Sequence, residues 1–220
     1  SSSAASDVYK RQIYGAGGFG REVSCMLNII NQCESRWNLI GFFDDTKPIG
    51  YSCGYGKVLG GLEVLNMYDE PLDVIIAIAS PVGVHKLVGK IKNPYIEFPN
   101  IIAPDVRFTD QNSLSLGKGN IFCWGCCVTC DITIGDFNSF NGFITIGHDS
   151  KIGNYNVFMP KVHISGGTVI NDENYIGTGA IILQKNRIGY RTVVGANSVI
   201  IRNTKDDSTY VGNPATIVKF

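Results

Sequence analysis

From Leu116 to Ile200, every sixth residue is large and apolar: Leu116, Phe122, Val128, Ile134, Phe140, Ile146, Ile152, Phe158, Ile164, Ile170, Ile176, Ile182, Ile188, Val194 and Ile200. If about half of all positions are apolar, fifteen consecutive hits in one chosen register is about a 1 in 30,000 event. A period of six fits neither the 3.6-residue helix nor the two-residue strand. It is the step of a hexapeptide-repeat β-helix, in which a short strand and its turn take six residues and three steps close one triangular coil. The recurrent aliphatic points into the prism and stacks on its equivalents above and below. Position i+4 also faces inward and is small or thin, as at Cys126, Asn138, Ser150, Thr168, Ala180, Thr192 and Ser198. Glycines directly after the aliphatic, among them Gly117, Gly135, Gly147, Gly177 and Gly195, are expected to turn the corners at positive φ. Such a stack needs capped ends, and the tail VGNPATIVKF closes one of them.

The front half has a different grammar. Ile13-Tyr14 is a stub of strand, followed by GAGGFG and a helical pattern with Val23, Met26, Leu27 and Ile30 on one face. NLIGFFDD then reads as a strand ending in Asp44 and Asp45, and DVIIAIAS as a fully buried strand. SPVGVHKLVGKI reads as a helix capped by Ser80 with Pro81 at its first position. Strands alternating with helices imply a small parallel sheet. The predicted organisation is therefore a non-native leader over 1–12, a Rossmann-like α/β domain over 13–100, a left-handed parallel β-helix over 101–205 and a C-terminal cap over 206–220. The leader assignment rests on SSSAASDVYKRQ, which fits neither half.

Lys+Arg and Asp+Glu balance at 19 each, which argues against a broad nucleic-acid or membrane field. No apolar run approaches the roughly 20 residues of a membrane span, and no export signal is evident. The seven cysteines are then expected to be reduced thiols of a cytoplasmic protein.

Four groups of residues bear on chemistry. GAGGFG at Gly15–Gly20 lets a phosphate approach the backbone at a helix N-terminus, and Asp44 at the next strand end suits a ribose hydroxyl; the same pattern also fits a tight turn that binds nothing. His148-Asp149 sits at the outward i+2 position of its hexapeptide, where an imidazole suits a general base; a solvated His-Asp pair reads the same. Cys123, Cys126, Cys127 and Cys130 have zinc-like spacing, but the hexapeptide register sends their side chains apart, which favours thiols packed as small hydrophobes. His85 falls on the front-half helix as a solvated residue. His163 is assigned to a turn. With His148 as the only other histidine of the β-helix, a three-histidine zinc site is not expected.

Taken in order, GAGGFGREV, GFFDD, IGHD, IGTGA, VVGANSVI and VGNPA resemble the NeuD- and PglD-like sugar O-/N-acetyltransferases, that is, sialic-acid O-acetyltransferases and bacillosamine or perosamine N-acetyltransferases. The resemblance covers about Ile13 to Phe220. It implies a homotrimer with active sites between subunits, acetyl-CoA as co-substrate and no metal. It assigns His148 as general base with Asp149 beside it, and Asn141 to the sugar. Gly15, Gly17, Gly18, Asp44, Asp45 and Lys47 would hold the nucleotide of a nucleotide-sugar substrate. Gly166, Gly177, Thr178, Gly195 and Ala196 would hold acetyl-CoA largely through backbone amides. Where many relatives have a second histidine the chain has Asn156, which inherits the contact to the acetyl group. The implied reaction is N-acetylation of a UDP- or GDP-linked 4-amino-deoxy sugar for surface glycans. Sialic-acid O-acetylation and a non-catalytic trimeric scaffold are the alternatives.

Overall fold

The computed structural model describes residues 9–33 and 37–218. They divide into two compact units, one running to Ile78 and resuming at Lys86–Pro99, the other comprising Ala79–His85 and the chain from Asn100 onward.

The first unit contains β1 (Tyr9–Tyr14), α1 (Gly18–Cys33), β2 (Trp37–Phe43), β3 (Val58–Gly60), α2 (Leu62–Asn66), β4 (Leu72–Ile76), the later part of α3 (Pro81–Lys90) and β5 (Ile96–Glu97). The strands form one parallel sheet in the order β3-β2-β1-β4-β5. Connections run outward on one side of β1 and then restart on the other, so the switch point lies between the C-terminal ends of β1 and β4. Val23, Met26 and Leu27 of α1 are buried, as their spacing predicts. The Gly-rich stretch between Tyr51 and Gly61 supplies the edge strand β3, which hydropathy alone does not reveal. Ser80 caps α3 by accepting the Gly83 N–H at 3.2 Å.

β1 begins at Tyr9 rather than Ile13, because Tyr9–Gln12 pair with β2, across a register shift between Arg11 and Gln12, and Arg11 and Gln12 also pair with β4. The expected leader therefore overlaps the sheet, and residues 1–8 lie outside the described residues. A central strand of a parallel sheet is covered on both faces and is normally apolar. Here Arg11 and Gln12 are fully buried. Arg11 reaches Asp73 with one nitrogen at 3.1 Å, and burial lowers its pKa to about 10 although Asp73 pulls the other way. Nε and Nη1 of Arg11, and both polar atoms of Gln12, find no partner among the described residues. Each unpartnered Gln12 atom carries a desolvation cost of about 1–3 kcal/mol, whereas the Arg11 guanidinium lies over the Trp37 ring.

In the second unit the chain winds a three-sided prism with parallel strands on each face. Face one carries Ile101–Ile102, Ile121–Phe122, Ser139–Phe140, Val157–Phe158, Tyr175–Ile176 and Val193–Val194; face two carries Arg107–Phe108, Cys127–Val128, Thr145–Ile146, His163–Ile164, Ile181–Ile182 and Val199–Ile200; face three carries Leu114–Leu116, Ile132–Ile134, Lys151–Ile152, Val169–Ile170 and Arg187–Ile188. Register advances by 18 residues per coil, as in Cys127↔Thr145↔His163↔Ile181↔Val199. The period-six aliphatics fill the interior and are buried, apart from half-buried Leu116. Phe122, Phe140 and Phe158 stack with centroids 4.4 and 4.9 Å apart.

Position i+4 is inward as predicted, but it also admits Ile132, Ile144 and Val162. At the corner after face three it is filled by asparagines. Asn120 Oδ1 accepts from the N–H of Asn138 at 2.9 Å, Asn138 Oδ1 from Asn156 at 2.9 Å, Asn156 Oδ1 from Asn174 at 2.8 Å, and Asn174 Oδ1 from Thr192 at 2.7 Å. This buried ladder satisfies one backbone amide per coil inside an otherwise apolar prism.

The corner glycines correct the expectation about turn conformation. Gly117, Gly135, Gly147, Gly177 and Gly195 do not carry positive φ; that role falls to position i+3, as at Phe143 (63°), Asp149 (59°) and Lys185 (61°). Glycine follows the aliphatic because a Cβ there would strike the next coil. At Gly147 it would lie 2.6 Å from Gly166 N, and at Gly177 2.6 Å from Ala196 N. The prism ends in an antiparallel hairpin, Thr209–Gly212 with Ala215–Val218, whose first strand extends face one.

Replacing Gln12 by Val removes two unpartnered buried polar atoms, so Gln12→Val is expected to stabilise the protein by about 1–3 kcal/mol. Urea unfolding checks it: the midpoint rises at unchanged slope, whereas a lower midpoint would mean that Gln12 has partners.

Candidate active site

Each coil presents three corners, and a residue's place in the hexapeptide fixes which corner it occupies. His148 and Asp149 form the corner after face two. Both side chains are 66% exposed, and His148 Nδ1 is 2.7 Å from Asp149 Oδ2. A carboxylate accepts only, so Nδ1 is the donor to Asp149, and in the neutral imidazole the lone pair is on Nε2. The positive φ of Asp149 turns its carboxylate back toward the preceding ring. One coil on, at +18, stands Gly166. A Cβ at Gly166 would lie 2.6 Å from His148 Nε2 and 2.7 Å from Cε1. The imidazole thus rests on a bare backbone. Gly167 N–H donates to the His148 carbonyl at 2.7 Å, locking the two corners together. The Gly166 N–H has no acceptor among the described residues. A groove of about 470 Å³ opens here, lined by His148, Asp149, Ser165, Gly166, Gly167, Gln184 and Lys185.

The remaining predicted residues separate by corner. Asn141, Gly177, Thr178, Gly195 and Ala196 occupy the corner after face one, apart from His148 in this chain. Asn141 is nearly buried and donates to the Phe158 carbonyl at 2.9 Å, so its amide is engaged by the coil. Asn156 is a correction. It lies on the ladder, fully buried, with its amide nitrogen 3.0 Å from Asn138 Oδ1, and is not available to an acetyl group. Its position is i+4 from Ile152, an inward address. His163 is also corrected: it stands outward on a strand of face two, not in a turn. His85 is paired, donating from Nδ1 to the Glu173 carboxylate at 2.5 Å and stacking on Tyr155 at 4.4 Å. Cys126 points inward, donates to the Asn141 carbonyl at 3.2 Å, and is pushed up to about 11 by burial. Gly166, expected at the donor site, lines this groove; Gln184, Lys185 and Ser165 are groove residues that sequence motifs missed, and two steps of 18 from His148 lead to Gln184.

In the first unit, Gly15 has φ 112° and a Cβ there would lie 2.6 Å from the Ala77 carbonyl oxygen, so it is required for packing. Gly17 and Gly18 face open space at the start of α1, leaving helix amides accessible to an anion. Asp44 accepts from the Ala16 N–H at 2.8 Å and from both donors of Thr46. Burial pushes its pKa up, but these hydrogen bonds outweigh burial and hold it below the ordinary value. Asp45 accepts from the Leu62 N–H at 2.8 Å and from the Tyr14 hydroxyl at 2.5 Å. Burial, then Asp45, raises the Tyr14 pKa, so the phenol stays a donor. Both acids thus fix the loops at the C-terminal ends of β1, β2 and β3. Beside them a cleft of about 500 Å³ is bordered by Asp45, Lys47, Gly61, Glu63 and Lys90.

A prism of six-residue steps with a histidine corner, joined to a doubly wound parallel sheet, defines a hexapeptide-repeat transferase architecture. The PglD N-terminal domain family model matches residues 12–90. A GDP-perosamine N-acetyltransferase of Escherichia coli O157:H7 is 31% identical over 185 residues, 78% of this chain and 77% of that one. WeeI from Acinetobacter baumannii AYE is similar with TM-score 0.85 and 30% identity, over 96% of this chain and 100% of that one. The acetyltransferase domain of PglB from Neisseria gonorrhoeae FA1090, solved with acetyl coenzyme A, is similar with TM-score 0.84 and 26% identity, over 95% and 98%. The chain belongs to the family of left-handed β-helix sugar acetyltransferases that includes GDP-perosamine N-acetyltransferase.

Because its amide is spent on the ladder, Asn156→Ala is expected to cost about 1–3 kcal/mol, the penalty of leaving the Asn174 N–H unpaired. Urea unfolding measures it; unchanged stability would place the residue outside the prism.

Proposed function

We propose that this protein transfers the acetyl group of acetyl-CoA to the amine of a nucleotide-activated amino sugar, a UDP- or GDP-linked 4-amino-deoxy sugar, in surface-glycan biosynthesis in the cytoplasm. The observation that carries the reading is the exposed His148 ring, oriented by Asp149 through Nδ1 and resting on side-chain-free Gly166. The relatives support it: one is a GDP-perosamine N-acetyltransferase, and another was solved with acetyl coenzyme A.

In this mechanism the acceptor nitrogen attacks the thioester carbonyl carbon while His148 Nε2 takes its proton. Asp149 stabilises the imidazolium. The carbonyl oxygen gains charge as the C–N bond forms, and a backbone amide stabilises it. With Asn156 inside the prism, the donor assigned here is the Gly166 N–H. The C–S bond then breaks, and the imidazolium proton goes to the CoA thiolate. No covalent acyl-enzyme is needed.

In the first unit, the exposed start of α1 at Gly17 and Gly18 takes the nucleotide phosphate through backbone amides and the helix dipole, with Lys47 alongside. Asp44 and Asp45 act by shaping this loop. The reading includes a homotrimer, in which Asn141, Gly177, Thr178, Gly195 and Ala196 of one subunit approach the His148 corner of another. Beyond its first strand, which carries Arg107, face two presents Cys127, Thr145, His163, Ile181 and Val199 without acidic, lysine or arginine side chains, whereas face three bears Lys151 and Arg187, which favours face two over face three for association.

His148→Ala is expected to lower kcat/KM for the amino sugar by about a hundredfold or more, the scale of general-base catalysis. Gly166→Ala, whose methyl would displace the ring, is expected to lower it by about tenfold at unchanged melting temperature. CoA release from acetyl-CoA with UDP-, GDP- and dTDP-amino sugars, beside free sialic acid, tests both. Full activity of His148→Ala, or turnover of sialic acid alone, would overturn the reading.

A further inference from the structure

At the corner after face one, position i+3 is held by Gly125, Phe143, Lys161, Gly179 and Asn197, all at positive φ. A bulky aromatic is strained in that conformation. Two other aromatics of the prism share it, Phe137 and Tyr155, and packing compensates both: Phe137 is buried, and the two rings stack with centroids 5.7 Å apart. Phe143, at φ 63°, has no such cover. At 62% it is the most exposed large apolar side chain among the described residues of the second unit. Its ring lies over bare Gly125, where a Cβ would come 2.5 Å from Phe143 Cδ1. Its N–H donates to the Trp124 carbonyl at 2.7 Å, which fixes the corner that carries the ring. An exposed ring held on strained backbone points to a contact outside the chain.

Phe143 and His148 belong to one coil, and their rings lean in opposite directions along the prism. His148 rests on Gly166, one coil onward, and Phe143 rests on Gly125, one coil back. In the proposed reaction the donor lies onward of His148, where the groove runs over Gly166, Gln184 and Lys185. Donor and acceptor cannot share one side of the reacting carbonyl, so the acceptor sugar lies on the backward side, toward which Phe143 leans. Rotation about an axis parallel to the prism leaves heights unchanged. In the homotrimer, the face-one corner of one subunit therefore meets the His148 corner of the next at the level of the same coil. We propose that Phe143 of one subunit is the acceptor platform of the next, packing against the deoxygenated, C–H-rich side of the amino sugar and selecting it over a hydroxylated counterpart. The proposal rests on the trimeric acetyltransferase reading. An aromatic face offers a large apolar contact to C–H groups, whereas a hydroxyl pressed against it loses water without gaining a partner.

The test uses the full chain and whichever nucleotide-linked amino sugar, UDP-, GDP- or dTDP-linked, releases most CoA from acetyl-CoA. Phe143→Asn suits the left-handed backbone and removes the ring. It is expected to raise KM for that sugar about tenfold, with kcat and the KM for acetyl-CoA unchanged, at unchanged trimer mass and melting temperature. It should also narrow the preference for the 6-deoxy form of the sugar over the 6-hydroxy form, and Phe143→Tyr should keep both properties. Co-expressed Phe143→Asn and His148→Ala subunits form mixed trimers in which an intact histidine meets an intact phenylalanine only across an interface, so a low-KM component should reappear there. An unchanged KM or an unchanged preference in Phe143→Asn would overturn the assignment. Dissociation of that variant's trimer would also overturn it, making the ring a seal between subunits. Mixed trimers without a low-KM component would overturn the placement of the ring on a neighbouring subunit. If no amino sugar releases CoA, or the unaltered protein is a monomer, the reading on which this rests fails instead.

Discussion

The stacking of one coil on the next, 18 residues at a time, is the interaction on which the second unit depends. Every short strand takes its backbone partners from the coils above and below, so no coil is complete alone. Two kinds of side chain make the stacking close. Aliphatic and phenylalanine columns fill the axis, and glycines at i+1 let successive corners approach to distances at which any Cβ would collide. The asparagine ladder adds a polar column within this apolar interior. It costs nothing in unsatisfied groups, because each amide oxygen meets the next coil's N–H. Slipping the register by one residue would bury the corner residues and expose the columns, so the register is strongly fixed.

That rigidity makes each hexapeptide position an address. Position i+2 at the face-two corner is outward and sits above a bare glycine, and there the chain places its histidine. The neighbouring i+3 residue must adopt the left-handed conformation, and Asp149 is a residue type that tolerates it. Backbone geometry alone brings the carboxylate to Nδ1. The orientation of the imidazole is thus set by its own corner and by the bare Gly166 of the next coil on which the ring rests.

The same logic explains which site residues were legible in the chain. His148 and Asp149 stand out because the register assigns them outward. Asn156 was assigned by resemblance to the acetyl contact, yet its own register position, i+4 from Ile152, is inward; the periodicity outranks the analogy. Asp44 and Asp45 look like ligands for a ribose because they end a strand after a glycine loop. Their oxygens are committed to Ala16, Thr46, Leu62 and the Tyr14 hydroxyl, partners that no linear motif displays. β1 extends to Tyr9 because strand pairing follows the neighbours β2 and β4, even where Arg11 and Gln12 are poor tenants of a sheet centre.

The amino-acid order by itself determined the prism, its register, the inward columns and the outward histidine, because a period of six is a local property that survives reading without coordinates. It also determined the α/β alternation of the first unit. Only the tertiary structure decided which corners share a groove, that Gly166 seats the imidazole and that the Asn156 amide is consumed inside. Those facts depend on contacts between residues 18 or more apart, where the identity of one position says nothing about the partner that folding brings to it.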